Sequence, residues 1–384
     1  MRTRLENKEL TIFLEGRIDS NNANEVKKEL SALVEENSPE NVVLCASELE
    51  YISSAGLRVI LALRKQFSDL RITEASSEVY DIFDMTGFTE MMTVQKAYRS
   101  LDVTGCEVIG HGANGIVYRY APDTIVKVFK NNNSIDDVKR EIALAKKAFT
   151  LGIPTAIPFD IVKVGDKLGS VFELLDSKCF LDLIIESPEK LDRLVAQSVA
   201  LAKILHSTDV GDTLPDMKAR EIGKLEAIKE IIPPITFDKV YKMLQEVPHQ
   251  TTLMHGDFQL KNVMMLDGEA ILIDMDTLCI GNPVFEIANI YLSYRGHEEK
   301  NPGECMEFFG ISPETSKKIW QTTLRYYFAD KDEKYLSEIE KKAQLITYIN
   351  LTNRGLRHND GESVDFYKER LICAARDCDS LLLD

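Results

Sequence analysis

The sequence predicts two unlike folded parts. An α/β unit, its sheet covered by helices, is expected over residues 1–99, followed by an α+β unit over residues 104–384 with a β-rich first lobe (about 104–176) and a mostly helical second lobe (about 177–384). Three observations carry this reading. Short apolar strands alternate with amphipathic helices in the first part. A new run of strands, interrupted by a glycine-rich turn, begins near Thr104. From about residue 180 the apolar spacing is helical, except over 252–276. A chain of 384 residues also exceeds what one ordinary core holds.

In the first part, Leu10, Ile12 and Leu14 alternate with Thr11 and Phe13, as a strand with one more buried face does. Asn21 and Asn22 can cap a helix whose stripe is Ala23, Val26, Leu30, Leu33 and Val34. Asn41 to Cys45 reads as a strand, and the Ser53-Ser54 pair precedes a helix bearing Leu57, Ile60, Leu61 and Leu63. Leu70 to Glu74 is a third strand, leading to a helix from Ser77 to Met85 that stops near Gly87. In the second part, strands are expected over 107–109, 116–120, 125–129 and 171–175. A helix from Ile135 to Phe149 shows its stripe at Ile135, Val138, Ile142, Ala145 and Phe149. The junction near 100–104 has no Pro/Gly/Ser-rich linker.

Composition narrows the function classes. The formal charge of −16 argues against nucleic acid or an anionic membrane as main partner, while leaving room for a local basic pocket. Seven scattered cysteines without a CxxC pair suit reduced thiols better than a disulfide framework or a zinc site. The N-terminal residues lack the apolar run of a signal peptide and no segment is apolar enough to span a bilayer, so the expected location is cytoplasmic.

Gly110-His111-Gly112-Ala113-Asn114-Gly115 is a GxGxxG turn between strand-like runs, suited to close backbone approach to phosphates. A strand rather than a helix follows Gly115, which disfavours a dinucleotide-binding fold; alone, the motif equally suits a plain turn. Lys127, inside the apolar strand Ile125 to Phe129, needs an anionic partner if buried. Glu141 on the next helix is the first candidate and Asp137 the second; the plain alternative is a lysine snorkelling from an edge strand.

Most informative is His255-Gly256-Asp257-Phe258-Gln259-Leu260-Lys261-Asn262, followed by Ile273-Asp274-Met275-Asp276. Phosphoryl transfer asks for Mg²⁺ held across phosphates and a carboxylate beside the acceptor hydroxyl. Asp257 fits the catalytic base, Asn262 and Asp274 fit oxygen ligands of Mg²⁺, and Asp276 and His255 fit supporting positions around them.

These residues resemble the aminoglycoside phosphotransferase and choline kinase branch of the protein-kinase-like fold, through GHGANG, IVKVF, HGDFQLKN and IDMD over about 104–300. The resemblance implies ATP and Mg²⁺ as cofactors, with Gly110, Gly112, Gly115, Lys127 and Glu141 around the nucleotide. It also implies a hinge near Glu173 to Leu175 that holds adenine by its backbone. Gly256 stands where protein kinases carry an arginine that reads a phosphorylated activation loop, and no APE-like anchor follows Asp274. Both departures favour a small-molecule acceptor, or an unusual protein acceptor, over an ordinary protein-kinase substrate. In this family residues 304–384 would shape the acceptor site, and they include Tyr326, Tyr327, Arg354, Arg357 and His358.

Residues 9–95 resemble a STAS domain, the module of anti-sigma-factor antagonists, through LEGRID at 14–19, YISSAGL at 51–57 and DMTGF at 84–88. The resemblance implies a regulatory or partner-binding domain in which Ser54 takes the place of the phosphorylated serine. A helix N-terminus there would favour a phosphate, though a serine at such a point is also an ordinary N-cap. Ser53 replaces the usual acidic residue, and Cys45-Ala46-Ser47 stands where Asp-Leu-Ser is common.

The expected function is an ATP- and Mg²⁺-dependent phosphotransferase acting on a small-molecule hydroxyl, with the STAS unit regulating it or recruiting a protein. One alternative is a signalling switch that phosphorylates Ser54 or another protein. A further alternative is a nucleotide-binding pseudokinase scaffold.

Overall fold

A computed structural model describes residues 1–112, 115–130 and 134–383. Ala113 and Asn114, at the centre of the glycine-rich turn, lie outside the described residues. The chain divides into two compact units, Met1–Val103 with Ile161–Lys167, and Thr104–Asp160 with Leu168–Asp384.

The first unit is built on a five-stranded sheet. Thr3–Glu6 pairs antiparallel with Glu9–Ile18, and Asn41–Ile52, Arg71–Ala75 and Thr93–Lys96 follow in parallel. Leu10, Ile12 and Leu14 are fully buried while Thr11 and Phe13 are only partly so, the alternation that a half-covered sheet imposes. Helices Ala23–Asn37, Ser54–Arg64 and Ser77–Met85 send Ala23, Val26, Leu30, Leu57, Ile60, Val79 and Phe83 into the same core. Asn22 precedes the first helix without capping it by its side chain, because its Oδ1 accepts from Asp19 N–H and its Nδ2 donates to the Arg17 carbonyl. Thr3–Glu6 is exposed at every residue, so no apolar pattern announces it. Arg99 and Ser100 pair with Val162 and Lys163, which is why 161–167 groups with this unit.

In the second unit, Glu107–His111, Gly115–Ala121, Thr124–Phe129 and Lys167–Glu173 form successive antiparallel pairs. The last strand ends at Glu173, two residues before the expected end, since Leu174 N–H turns away to bond the Asp123 carbonyl. Helix Ile135–Thr150 opens on a capping box between Ser134 and Asp137. Its Val138, Ile142 and Ala145 are buried, but Phe149 at its end is 46 % exposed.

Beyond residue 180 the unit is mainly helical, and helices Leu191–Ser207, Pro283–Tyr291, Pro313–Tyr327 and Glu333–Arg357 share one core around Trp320, Phe285 and Tyr291. Two small strand pairs interrupt it: Leu253–Met254 with Cys279–Ile280, and Val263–Leu266 with Glu269–Leu272. These pairs bring the segments around 255–262 and 273–277 side by side. Among the described residues no helix is long and apolar enough to cross a membrane, and all seven cysteines are free.

Candidate active site

Lys127 lies mid-strand, opposite Val117 on one side and Ser170 on the other, and its side chain leaves the sheet toward helix Ile135–Thr150. The ammonium meets both Glu141 carboxylate oxygens at 3.0 Å and Asp274 Oδ1 at 3.2 Å. Glu141 is the partner; Asp137, the second candidate, instead bonds Ser134 and Arg140 at the exposed helix start. Burial alone would weaken the ammonium, but the Asp274 and Glu141 charges outweigh it and raise the Lys127 pKa. Burial likewise lifts the Glu141 carboxyl; Lys127 opposes this, Asp274 and Asp276 add to it, and the group stands at about 7.

The glycine-rich turn is described at its ends. Gly112 N–H donates to the Gly115 carbonyl at 2.9 Å, closing the turn, and Lys130 Nζ reaches the Gly112 carbonyl. A Cβ on Gly115 would stand 2.4 Å from the Val128 carbonyl oxygen, so this position admits no side chain while the strands stay paired. Gly110 continues the first strand of the turn, opposite Val117.

Asp257 follows Gly256 at the head of the 255–262 loop. Its Oδ2 accepts from Gln259 Nε2 at 3.1 Å and Asn262 Nδ2 at 3.3 Å, and Asn262 also bonds the Asp257 carbonyl. Burial raises the Asp257 pKa most; His255 opposes the rise and Asp274 adds to it. With the nitrogen of Asn262 bonded in this way, its oxygen is the atom a cation would take.

Carboxylate oxygens of Glu141, Asp274 and Asp276 lie within 4.8 Å of one another, a hard-oxygen set that suits Mg²⁺. Asp274 adopts φ 63° and ψ 60°, a left-handed conformation that Asp tolerates better than most residues, at the start of the short turn Met275–Thr277.

His255 is fully buried and ties the two loops together. Its Nε2 meets the Ile273 carbonyl at 3.0 Å and its Nδ1 receives Asp257 N–H at 3.3 Å. These partners assign the proton to Nε2 and leave Nδ1 as acceptor. Its role here is to position the loops.

Several supporting residues went unnoticed in the sequence. Glu286, fully buried, accepts from His255 N–H at 2.7 Å and Gly256 N–H at 2.8 Å. Burial alone would favour its neutral form, but nearby His206 and the backbone donors prevail and hold it below the usual carboxylate range. His206 Nε2 stands 3.5 Å from Glu286 Oε2, while its Nδ1 meets the Tyr327 hydroxyl at 2.7 Å. Asn289 Nδ2 donates to the Gly256 carbonyl at 3.1 Å, and the Tyr294 hydroxyl accepts Leu260 N–H at 2.8 Å. The signal available was a glutamate and an asparagine in the otherwise apolar run 283–292.

Gly256 is needed for a backbone reason. Its φ is +82°, and a Cβ there would stand 2.4 Å from the Thr277 carbonyl oxygen.

The remaining expected residues are placed as follows. Glu173 has its N–H on the Ile157 carbonyl at 2.9 Å and its carboxylate on Ile157 N–H at 3.2 Å, so it ties two backbone segments together. Leu175 is buried. Tyr327 packs on His206, Arg354 and Arg357 line a cavity, and His358 is exposed. In the first unit Ser53, not Ser54, caps helix Ser54–Arg64, accepting from Gly56 N–H. Ser54 is the first helical residue and is exposed.

Comparison with known proteins agrees with both parts. A model of the STAS domain matches residues 2–102, and one of the phosphotransferase enzyme family matches residues 105–304. The candidate anti-sigma factor antagonist BtrV of Bordetella bronchiseptica is 38% identical over 89 residues, 22% of this chain and 76% of that protein. Among solved structures, the gentamicin complex of APH(2'')-IIa is 16% identical, covers 76% of this chain and 95% of its own, and has a TM-score of 0.46. Macrolide 2'-phosphotransferase MphH of Brachybacterium faecium is 13% identical, covers 70% and 94%, and has a TM-score of 0.41. The chain thus belongs to the phosphotransferase enzyme family, with a STAS domain preceding its kinase-like fold of strand-rich first part and helical remainder.

Proposed function

We propose that this protein transfers the γ-phosphoryl group of ATP, with Mg²⁺, to a hydroxyl of a small-molecule acceptor, and that its STAS domain regulates the reaction or binds a protein partner. The observation that carries the reading is the convergence of Lys127, Glu141, Asp257, Asn262 and Asp274 from four separate segments. Such groups have little covalent work to do; they position phosphates and stabilise charge.

In this reading Lys127, oriented by Glu141, contacts the nucleotide phosphates beneath the glycine-rich turn. Asp274 and the Asn262 oxygen would hold Mg²⁺, with Asp276 beside them. The bound ion neutralises charge on the phosphate oxygens. Asp257 accepts the proton as the acceptor oxygen forms its bond to the γ-phosphorus and the bond to the ADP oxygen breaks. Glu286 and His255 keep Asp257 in place through the loop backbone.

Thermal unfolding of wild type and Asp274→Ala with ATP, with and without Mg²⁺, tests this. A Mg²⁺-dependent rise lost in the variant is expected. No rise with any nucleotide would sink the reading. A second reading rests on the exposure of Ser54 at a helix start, where the helix dipole favours an added phosphate. Stoichiometric phosphate on Ser54, by mass analysis after incubation with ATP alone, would support a switch; an unmodified Ser54 would remove it.

A further inference from the structure

Helices Met217–Ala227 and Glu333–Arg357 face each other across a cavity of about 580 Å³ in the second unit. Each helix gives one face to it: residues 220, 223, 224 and 227 on one side, and 350, 353, 354 and 357 on the other. Within a chain of net charge −16, these faces carry Arg220, Lys224, Arg354 and Arg357, and among the described residues no aspartate or glutamate lines the cavity. The Lys224 charge is satisfied locally by buried Glu221 at 2.6 Å and by Asn350. No carboxylate bridges Arg220, Arg354 or Arg357 among the described residues; Arg354 has only His297 Nε2 beside it, at 3.3 Å.

Asn353 also lines the cavity and brings a side-chain amide able to donate to an anion. Gly223 contributes room, since a Cβ there would meet nothing within 4 Å.

The cavity is coupled to the catalytic loop along both walls. Leu292, which lines it, follows Asn289 by three residues, about 5 Å of helix rise, and Asn289 bonds the Gly256 carbonyl beside Asp257. On the other side, Met217 packs on Gly281, whose N–H bonds the Thr252 carbonyl just before His255.

We infer that this cavity receives the acceptor and that the acceptor carries an anionic group, a phosphate or a carboxylate, held by Arg220, Arg354 and Arg357 with Asn353. Guanidinium pairs suit these planar or tetrahedral anions, whereas a polycationic aminoglycoside would meet three like charges. The inference rests on the phosphotransferase reading above and names its substrate class.

Isothermal titration of the full chain tests it. AMP-PNP with Mg²⁺ is titrated first; the loaded protein then receives glucose 6-phosphate, glucuronate, neutral glucose or kanamycin. Binding of the phosphate or carboxylate sugar, stronger than that of glucose, is expected, and kanamycin should not bind; the two anionic arms separate phosphate from carboxylate. Arg354→Gln and Arg357→Gln should each weaken the anion about tenfold or more while leaving AMP-PNP affinity unchanged. Failure of both anions to bind an AMP-PNP-loaded protein, binding of kanamycin in their place, or indifference to both substitutions overturns the inference and leaves the nucleotide reading intact. Failure of AMP-PNP itself to bind overturns both.

Discussion

Lys127 Nζ bridges Glu141 and Asp274, lying 3.0 Å from each oxygen of the first carboxylate and 3.2 Å from the nearer oxygen of the second. One ammonium thus links a residue oriented by a helix to one oriented by the turn after the 269–272 strand. Phosphate oxygens that approach Lys127 would compete with these carboxylates for its protons. Nucleotide binding is therefore expected to loosen the contact to the more exposed Asp274 before the contact to buried Glu141.

The raised Glu141 pKa gives a pH signature. The carboxyl titrates at about 7 in the fold against its ordinary 4.5, so between these values the folded state holds the proton that the unfolded state has released. Its contribution to stability is complete below the unfolded value and is lost as pH rises through the folded one. Thermal unfolding from about pH 5 to pH 8 should show wild-type stability falling relative to Glu141→Gln. Parallel curves would contradict the shift.

Asp257→Asn keeps the size of the side chain and removes the base. Turnover should fall about 10²- to 10⁴-fold, while the nucleotide-dependent thermal shift persists. Unchanged ATP turnover would remove Asp257 from the role assigned above.

Gly256→Ala introduces a methyl where φ is +82° and the Thr277 carbonyl is 2.4 Å from the new carbon. A cost of about 1–3 kcal/mol is expected in denaturant unfolding. Because the next residue is Asp257, turnover should fall even in protein that remains folded.

Glu286→Gln removes the charge that gathers His255 and Gly256 N–H. Hydrogen bonds to charged groups contribute about 1.5–3 kcal/mol each, so a loss of that order is expected, together with lower kcat and unaltered nucleotide KM. Wild-type stability and kcat in this variant would mean that the loop is held by Asn289 and Tyr294 alone.

Much of this arrangement was legible in the residues. The stripe Val138, Ile142, Ala145 fixed the phase of its helix, and that phase put Glu141 beside the buried face where Lys127 could reach it. HGDFQLKN and IDMD announced their loops because polar residues interrupt strongly apolar runs. The exposed strand Thr3–Glu6 was not legible, since its pairing depends on backbone bonds and its side chains all face solvent. Glu286, Asn289 and Tyr294 escaped for a different reason. Their partners are backbone groups about 30 residues away in sequence, and a helix pattern does not report what lies across from it. Asp137 was offered as a lysine partner, but Ser134 three residues earlier claims it as a cap.

The loop that carries Asp257 takes its side-chain supports from Glu286, Asn289 and Tyr294, all within 286–294. The three arginines of the cavity stand on two other helices and make none of those bonds. On the inference above, the side chains that choose the acceptor are therefore not the ones that bond the Asp257 loop. Substitutions on those two helix faces are then expected to shift acceptor preference while leaving the bonds that Glu286, Asn289 and Tyr294 make to the loop in place.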